Sequence, residues 1–143
     1  MAPRMDNPSL AVPGALQPLL DLSAAIGEAG VPQSTLDLVR LRVSQINGRV
    51  YVLPAEPADK RLPLVAQWRS EASFADAERA ALELAEAVTL TTGAQSRASD
   101  EVWAHAGAHY TDVQLGALVM HISLVNFWNR VNLTTDQDDA AWR

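Results

Sequence analysis

The amino-acid sequence predicts an all-α fold. Three observations carry the prediction. Apolar residues recur at helical spacing in several long stretches, residues that start and stop helices bound those stretches, and no alternating strand pattern of comparable strength occurs. The 143 residues are enough for one domain with a real core. Residues 1–143 are therefore read as a single domain whose ends, 1–14 and 134–143, are expected to be loosely ordered.

The elements follow in order. Pro3, Pro8, Pro13 and Pro18 delay the first helix to near Leu16. Leu16, Leu19, Leu20, Leu22 and Ile26 then share an apolar face, which Gly27, Gly30 and Pro32 terminate. Ser34 is the expected N-cap of the next helix, with an acidic residue, Asp37, in its first turn. Leu36, Val39, Val43 and Ile46 give that helix its inner face, Arg40 and Arg42 point elsewhere, and Asn47-Gly48 marks a break. Arg49–Leu53 is apolar but short, and Pro54 and Pro57 keep it from extending as a helix. Leu62–Arg69 reads as a short helix holding Trp68.

Asp76–Thr89 is a strong helix, with Ala77, Ala80, Ala81, Leu84, Ala85 and Val88 inside and Glu78, Arg79, Glu83 and Glu86 expected to face water; Gly93 follows its end. Ser99-Asp100-Glu101 opens another short helix. Thr111-Asp112-Val113-Gln114 is a capping box for the longest helix, about Asp112–Val131. That helix is apolar around most of its circumference, so it is either central to the domain or buried between subunits. The tail Asp136-Gln137-Asp138-Asp139 is expected to be solvated.

Composition removes several function classes. The chain has no cysteine, which excludes disulfides, thiolate metal sites, a cysteine nucleophile and a dithiol cycle of its own. A formal net charge of −6 argues against a nucleic-acid partner, which needs a basic face. Met1–Ser9 has one Arg, two Pro and no apolar block, unlike a secretory signal. Leu115–Trp128 is too short to span a bilayer and contains His121, Ser123 and Asn126. The expectation is a cytoplasmic protein without a membrane partner.

Three blocks occur in a fixed order: Leu41-Arg42-Val43-Ser44-Gln45-Ile46-Asn47-Gly48, Phe74-Ala75-Asp76-Ala77-Glu78-Arg79-Ala80-Ala81-Leu82, and Val125-Asn126-Phe127-Trp128-Asn129-Arg130. Together they resemble the AhpD-like, carboxymuconolactone decarboxylase family, across about Leu36 to Leu133. The resemblance implies a helical bundle assembled as a trimer, or a hexamer built from trimers. It also implies thiol-disulfide chemistry on peroxides in the active members, carried by a Cys-x-x-Cys pair at a helix start. This chain departs there. The family cysteines align with Arg49 and Val52, the family histidine with Glu56, and the upstream family glutamate with Asp37. The segment leading to Trp68 is also shorter than in the family. Neither Arg nor Val can be oxidised and re-reduced, so a dithiol peroxidase is rejected.

The remaining polar groups define candidate chemistry. His121 lies inside the most apolar helix, where similar proteins carry a small apolar residue. A buried imidazole either is satisfied structurally or faces a pocket as a general acid/base. Asp37 and Arg49 would be roughly 18 Å apart on a straight helix, so they meet only across the Asn47-Gly48 break or between subunits. If they meet, an Arg–carboxylate pair replaces the thiol centre with a site for an anionic ligand; otherwise Arg49 is a solvated side chain. Tyr51 would add a phenol. His105 and His109 share a helix face but lack a third ligand, and His109-Tyr110 reads as a helix end, so no metal is assigned.

The preferred reading is an oligomeric AhpD-like protein with a small-molecule pocket repurposed for cofactor-free acid/base chemistry on an organic acid. His121, Asp37 and Glu56 would be catalytic, with Arg49 and Tyr51 binding substrate. An isomerase, lyase or cyclase is the expected type. The alternative is a catalytically inactive binding or scaffold homologue. An open pocket lined by titratable groups favours the first reading, and a pocket filled by Tyr51, Val52 and Leu53 favours the second.

Overall fold

The computed structural model describes residues 2–90, 98–137 and 141–142. The described residues form helices α1 (Pro8–Ala11), α2 (Leu16–Gly27) and α3 (Gln33–Ile46), then a 3₁₀ segment (Leu62–Ser70), then α4 (Asp76–Thr89), α5 (Asp100–His109) and α6 (Asp112–Thr134). Among these residues there is no strand, only an isolated parallel bridge between Val52 and Ala141. No described helix is long and apolar enough to cross a membrane. Gly93 and the tail residues Asp138 and Asp139 lie outside the described residues.

The longest helix is the centre of the bundle. α6 packs on α2, α3, α4 and α5. Thr111 starts it as expected: its hydroxyl accepts from Gln114 N at 3.2 Å, and Gln114 Oε1 accepts from Thr111 N at 2.9 Å. Leu118 and Ile122 are fully buried in a core shared with Val39, Val43, Leu84 and Ala85. Each such aliphatic side chain contributes about 2 kcal/mol by leaving water. A second core joins Leu38 and Leu41 of α3 to Leu62, Val65, Trp68, Phe74 and Leu82. α3 thus has two apolar faces, one for α6 and one for the 3₁₀ segment.

The structure corrects several local expectations. The first helix is Pro8–Ala11, ahead of the one expected near Leu16, because Pro8 is tolerated at the first helical position behind the Asn7 cap. Pro32, not Ser34, is the N-cap of α3; its carbonyl accepts from Thr35 N at 3.0 Å and Leu36 N at 3.1 Å. The extended backbone of Pro32 presets the helix entry, which places Ser34 inside the first turn. Glu86 does not face water. Its carboxylate accepts from Arg42 Nε at 2.9 Å, Trp68 Nε1 at 2.8 Å and Arg69 Nη2 at 2.8 Å. Glu78 likewise meets Arg61 Nη1 at 2.6 Å. The 3₁₀ segment supplies the Trp68 indole and Arg69, with Arg61 at its N-cap, and α3 supplies Arg42; together they compensate the covered carboxylates.

The N-terminal segment is tied to the end of α6. Asn7 caps α1 by accepting from Ser9 N at 3.0 Å and donates to Asn132 Oδ1 at 3.3 Å. Arg4 pairs with Asp136 at 2.8 Å.

The Glu86 hub yields a stability prediction. Burial pushes its carboxyl upward, but the hydrogen bonds from Trp68, Arg69 and Arg42 outweigh it and hold the group below its ordinary 4.5. The folded state therefore binds that proton less readily than the unfolded chain, and the stabilisation present above pH 4.5 is lost as pH falls through the folded value. Glu86→Ala, which leaves Arg42 and the Trp68 N–H facing a void, should lower stability by about 3 kcal/mol in urea titrations at neutral pH. Glu86→Gln should flatten the acid limb of the stability profile.

Candidate functional site

The site is built where α3 stops. Asn47 Nδ2 donates to Asn126 Oδ1 at 2.8 Å and Asn129 Oδ1 at 2.9 Å. Asn126 Nδ2 reaches Ile122 O at 2.9 Å and Thr89 Oγ1 at 3.2 Å, and Asn129 Nδ2 reaches Ser44 Oγ at 3.2 Å. Asn129 is only 1% exposed, so its amide must be satisfied internally. This clamp holds the end of α3 against α6.

Gly48, at φ +81°, then reverses the chain. Gly48 N donates to Gln45 O at 3.1 Å and Arg49 N to Ser44 O at 2.8 Å, the paired bonds of a Schellman ending. A Cβ would strain this left-handed backbone, which is why glycine suits the break. The reversal brings Arg49 and Tyr51 back beside α3 rather than carrying them away along its axis.

A cavity of about 520 Å³ results. Asp37, Arg40, Arg49, Tyr51 and His121 line it, with Leu124, Val125 and Trp128 as an apolar wall and Asn132 and Gln137 among its polar groups. The structure thus brings Asp37 and Arg49 to one cavity within a single chain. Glu56 is solvent-exposed and is not among the lining residues. Neither Val52 nor Leu53 lines the cavity, and Val52 is 68% exposed. Arg49 thus turns inward to the cavity while Val52 faces outward.

Each group has a defined setting. Arg49 is not solvated: it is 7% exposed, and its Nη1 donates to Gln137 O at 2.9 Å. Its guanidinium lies 5.7 Å from the Tyr51 ring centroid. Asp37 Oδ1 accepts from Gln33 Nε2 at 3.0 Å, one turn earlier in α3. His121 Nε2 lies 2.8 Å from Leu36 O, an acceptor, so the neutral ring donates there and keeps its lone pair on Nδ1. Burial is the main force lowering the imidazole below its ordinary 6.5. The Leu36 carbonyl opposes it, the Arg40 charge reinforces it and Asp37 opposes it. The ring is neutral at neutral pH, with Nδ1 as its basic atom.

Arg40 is the cavity residue that sequence reasoning passed over. A signal existed, since Gln33, Asp37 and Arg40 are spaced four and three residues apart and share one face of α3. His105 and His109 lie on α5 with ring centroids 5.5 Å apart, and His105 Nδ1 is 3.4 Å from Glu83. No group of three or more potential metal ligands occurs among the described residues.

Comparisons with known proteins bear on the fold. No family model matches the chain. The uncharacterized protein YdfG of Bacillus subtilis is 27% identical over 137 residues, spanning 90% of this chain and 92% of YdfG. A crystal structure of a protein of unknown function from Agrobacterium tumefaciens, provisionally described as the antioxidant defence protein AhpD, is similar with a TM-score of 0.80. It is 23% identical, and the match covers 96% of this chain and 97% of that one. This chain has the AhpD-like fold, in a form that contains no cysteine.

Proposed function

We propose that the cavity between α3 and α6 binds a small organic acid and that His121 performs cofactor-free acid/base chemistry on it. One observation carries this reading: the cavity is open, at about 520 Å³, and lined by two guanidiniums, a carboxylate, a phenol and an imidazole rather than filled by apolar side chains. Arg40 and Arg49 favour an anionic ligand, because a guanidinium matches the planar geometry of a carboxylate. His121 Nδ1 takes a proton from a carbon acidified by a neighbouring carbonyl or carboxyl group. The proton returns to a second carbon or to the leaving group, so neither oxidant nor reductant is needed. Asp37 supports the imidazolium formed midway, and Tyr51 backs the two guanidiniums. An isomerase, lyase or cyclase fits this balance. Glu56, exposed and outside the cavity lining, has no part in it.

A second reading is favoured by the His121–Leu36 hydrogen bond, which pins α6 to α3 and would serve an inactive binding or scaffold protein equally well. Solvent-deuterium incorporation separates the two. A panel of unsaturated and 2-oxo acids is incubated in heavy water and followed by proton NMR. The enzyme reading expects exchange by the wild type and a loss of about 100-fold or more in His121→Gln with ligand binding kept. Exchange that survives His121→Ala combined with Asp37→Ala removes the assignment. Binding without any exchange across the panel moves the protein to the scaffold reading.

The buried imidazole also sets a pH dependence. Between the lowered folded value and 6.5 the unfolded chain holds more protons at this residue, so stability declines as pH falls through that window and levels off below it. Urea midpoints from about pH 8 to about pH 5 should show this slope, and His121→Gln should remove it.

We further propose self-association through α6, as the trimer or hexamer that the family resemblance implies. Val113, Met120 and Phe127 are 67%, 47% and 43% exposed at seven-residue spacing. Gly116 and Ser123 lie exposed between them. Such a seam suits close helix–helix contact. Light scattering should give an oligomer for the wild type and a monomer for Met120→Lys/Phe127→Lys, with helical circular dichroism retained. A wild-type monomer at micromolar concentration overturns the proposal.

A further inference from the structure

We infer that Trp142 is a positioning residue for Arg40, and that this stacked pair selects an acid group on the ligand. The inference rests on reading the cavity as a binding site. It concerns a residue far from α3 in sequence and absent from the cavity lining itself.

Arg40 leaves α3 on the cavity side. Its guanidinium carbon lies 4.3 Å from the Trp142 ring centroid and 5.1 Å from that of Tyr51. The two rings meet edge-to-face, 5.3 Å apart at 82°. The cation is therefore held by two aromatic faces nearly at right angles, which restricts both its tilt and its swing. Stacking uses the face of a guanidinium, whereas its N–H donors lie in its plane. A ligand carboxylate thus meets a donor set whose orientation is already chosen, and less ordering is required on binding.

Trp142 is itself held in place. Its backbone N donates to Val52 O at 3.1 Å beside the Val52–Ala141 bridge. Its ring packs on the second apolar core with Tyr51, Leu53 and Leu64. The bridge buries little of the segment it meets, since Val50 and Val52 are 77% and 68% exposed. What it accomplishes is placement of the indole between that core and Arg40, while Ala141 beside it lines the cavity.

Benzoate and benzamide test the inference, because they share size and shape but differ in charge. Affinities are measured by isothermal titration or ligand-observed NMR on the full chain. The wild type should prefer benzoate. Trp142→Ala should lose about fivefold or more in benzoate affinity with benzamide nearly unchanged, and Trp142→Phe should recover most of the loss. Arg40→Lys, which keeps the charge but not the planar stack, should behave like Trp142→Ala. Circular dichroism confirms that each variant folds, and Arg40→Lys decides the matter if Trp142→Ala does not. Equal losses for both probes, or no loss, overturn the positioning role while the binding site stands. Failure of both probes to bind the wild type overturns the site reading and this inference together.

Discussion

The site depends on the amide clamp between Asn47, Asn126 and Asn129. It stops α3 at a defined point on α6, and everything downstream is placed from there. The clamp uses neutral groups around the buried Asn129, where a partner lost is a desolvated amide left over. Its geometry is therefore strongly enforced. Gly48 then supplies the left-handed backbone that most side chains disfavour, and Arg49 and Tyr51 return to the cavity.

A second consequence follows from α3 serving two cores. Positions two apart on a helix lie about 200° apart around its axis. Arg40 and Arg42 accordingly depart on different sides. Arg40 enters the cavity and stacks on Tyr51 and Trp142. Arg42 reaches the Glu86 carboxylate and helps compensate a charge that the 3₁₀ segment covers. One short stretch of helix thus supplies a cation to the candidate site and a cation to the scaffold, and both are decided by what packs alongside.

The AhpD-like fold is present here without a cysteine. What occupies the region is a cavity with charges of both signs and an imidazole kept neutral by burial. His121 has one nitrogen bonded to a backbone carbonyl, so the same hydrogen bond sets the ring's orientation and its tautomer.

The sequence by itself determined the local elements. The apolar period, the Thr111–Gln114 box, Ser99 at the head of α5 and the Asn47-Gly48 break each depend on residues within a turn or two of one another, so local sequence is enough to read them. Asp37, Arg49, Tyr51 and His121 could be singled out because their chemistry is unusual for their neighbourhoods. Tertiary structure decided which of them share a cavity, why Glu56 lies outside it and why Glu86 turns inward. It also gave Arg40 its aromatic partners and Arg49 its carbonyl. Several of those partners lie far along the chain: Arg49 meets Gln137 88 residues on, and His121 meets Leu36 across 85 residues. No local pattern encodes such pairings; they arise only when burying the apolar faces of α3, α4 and α6 forces their polar groups to find one another.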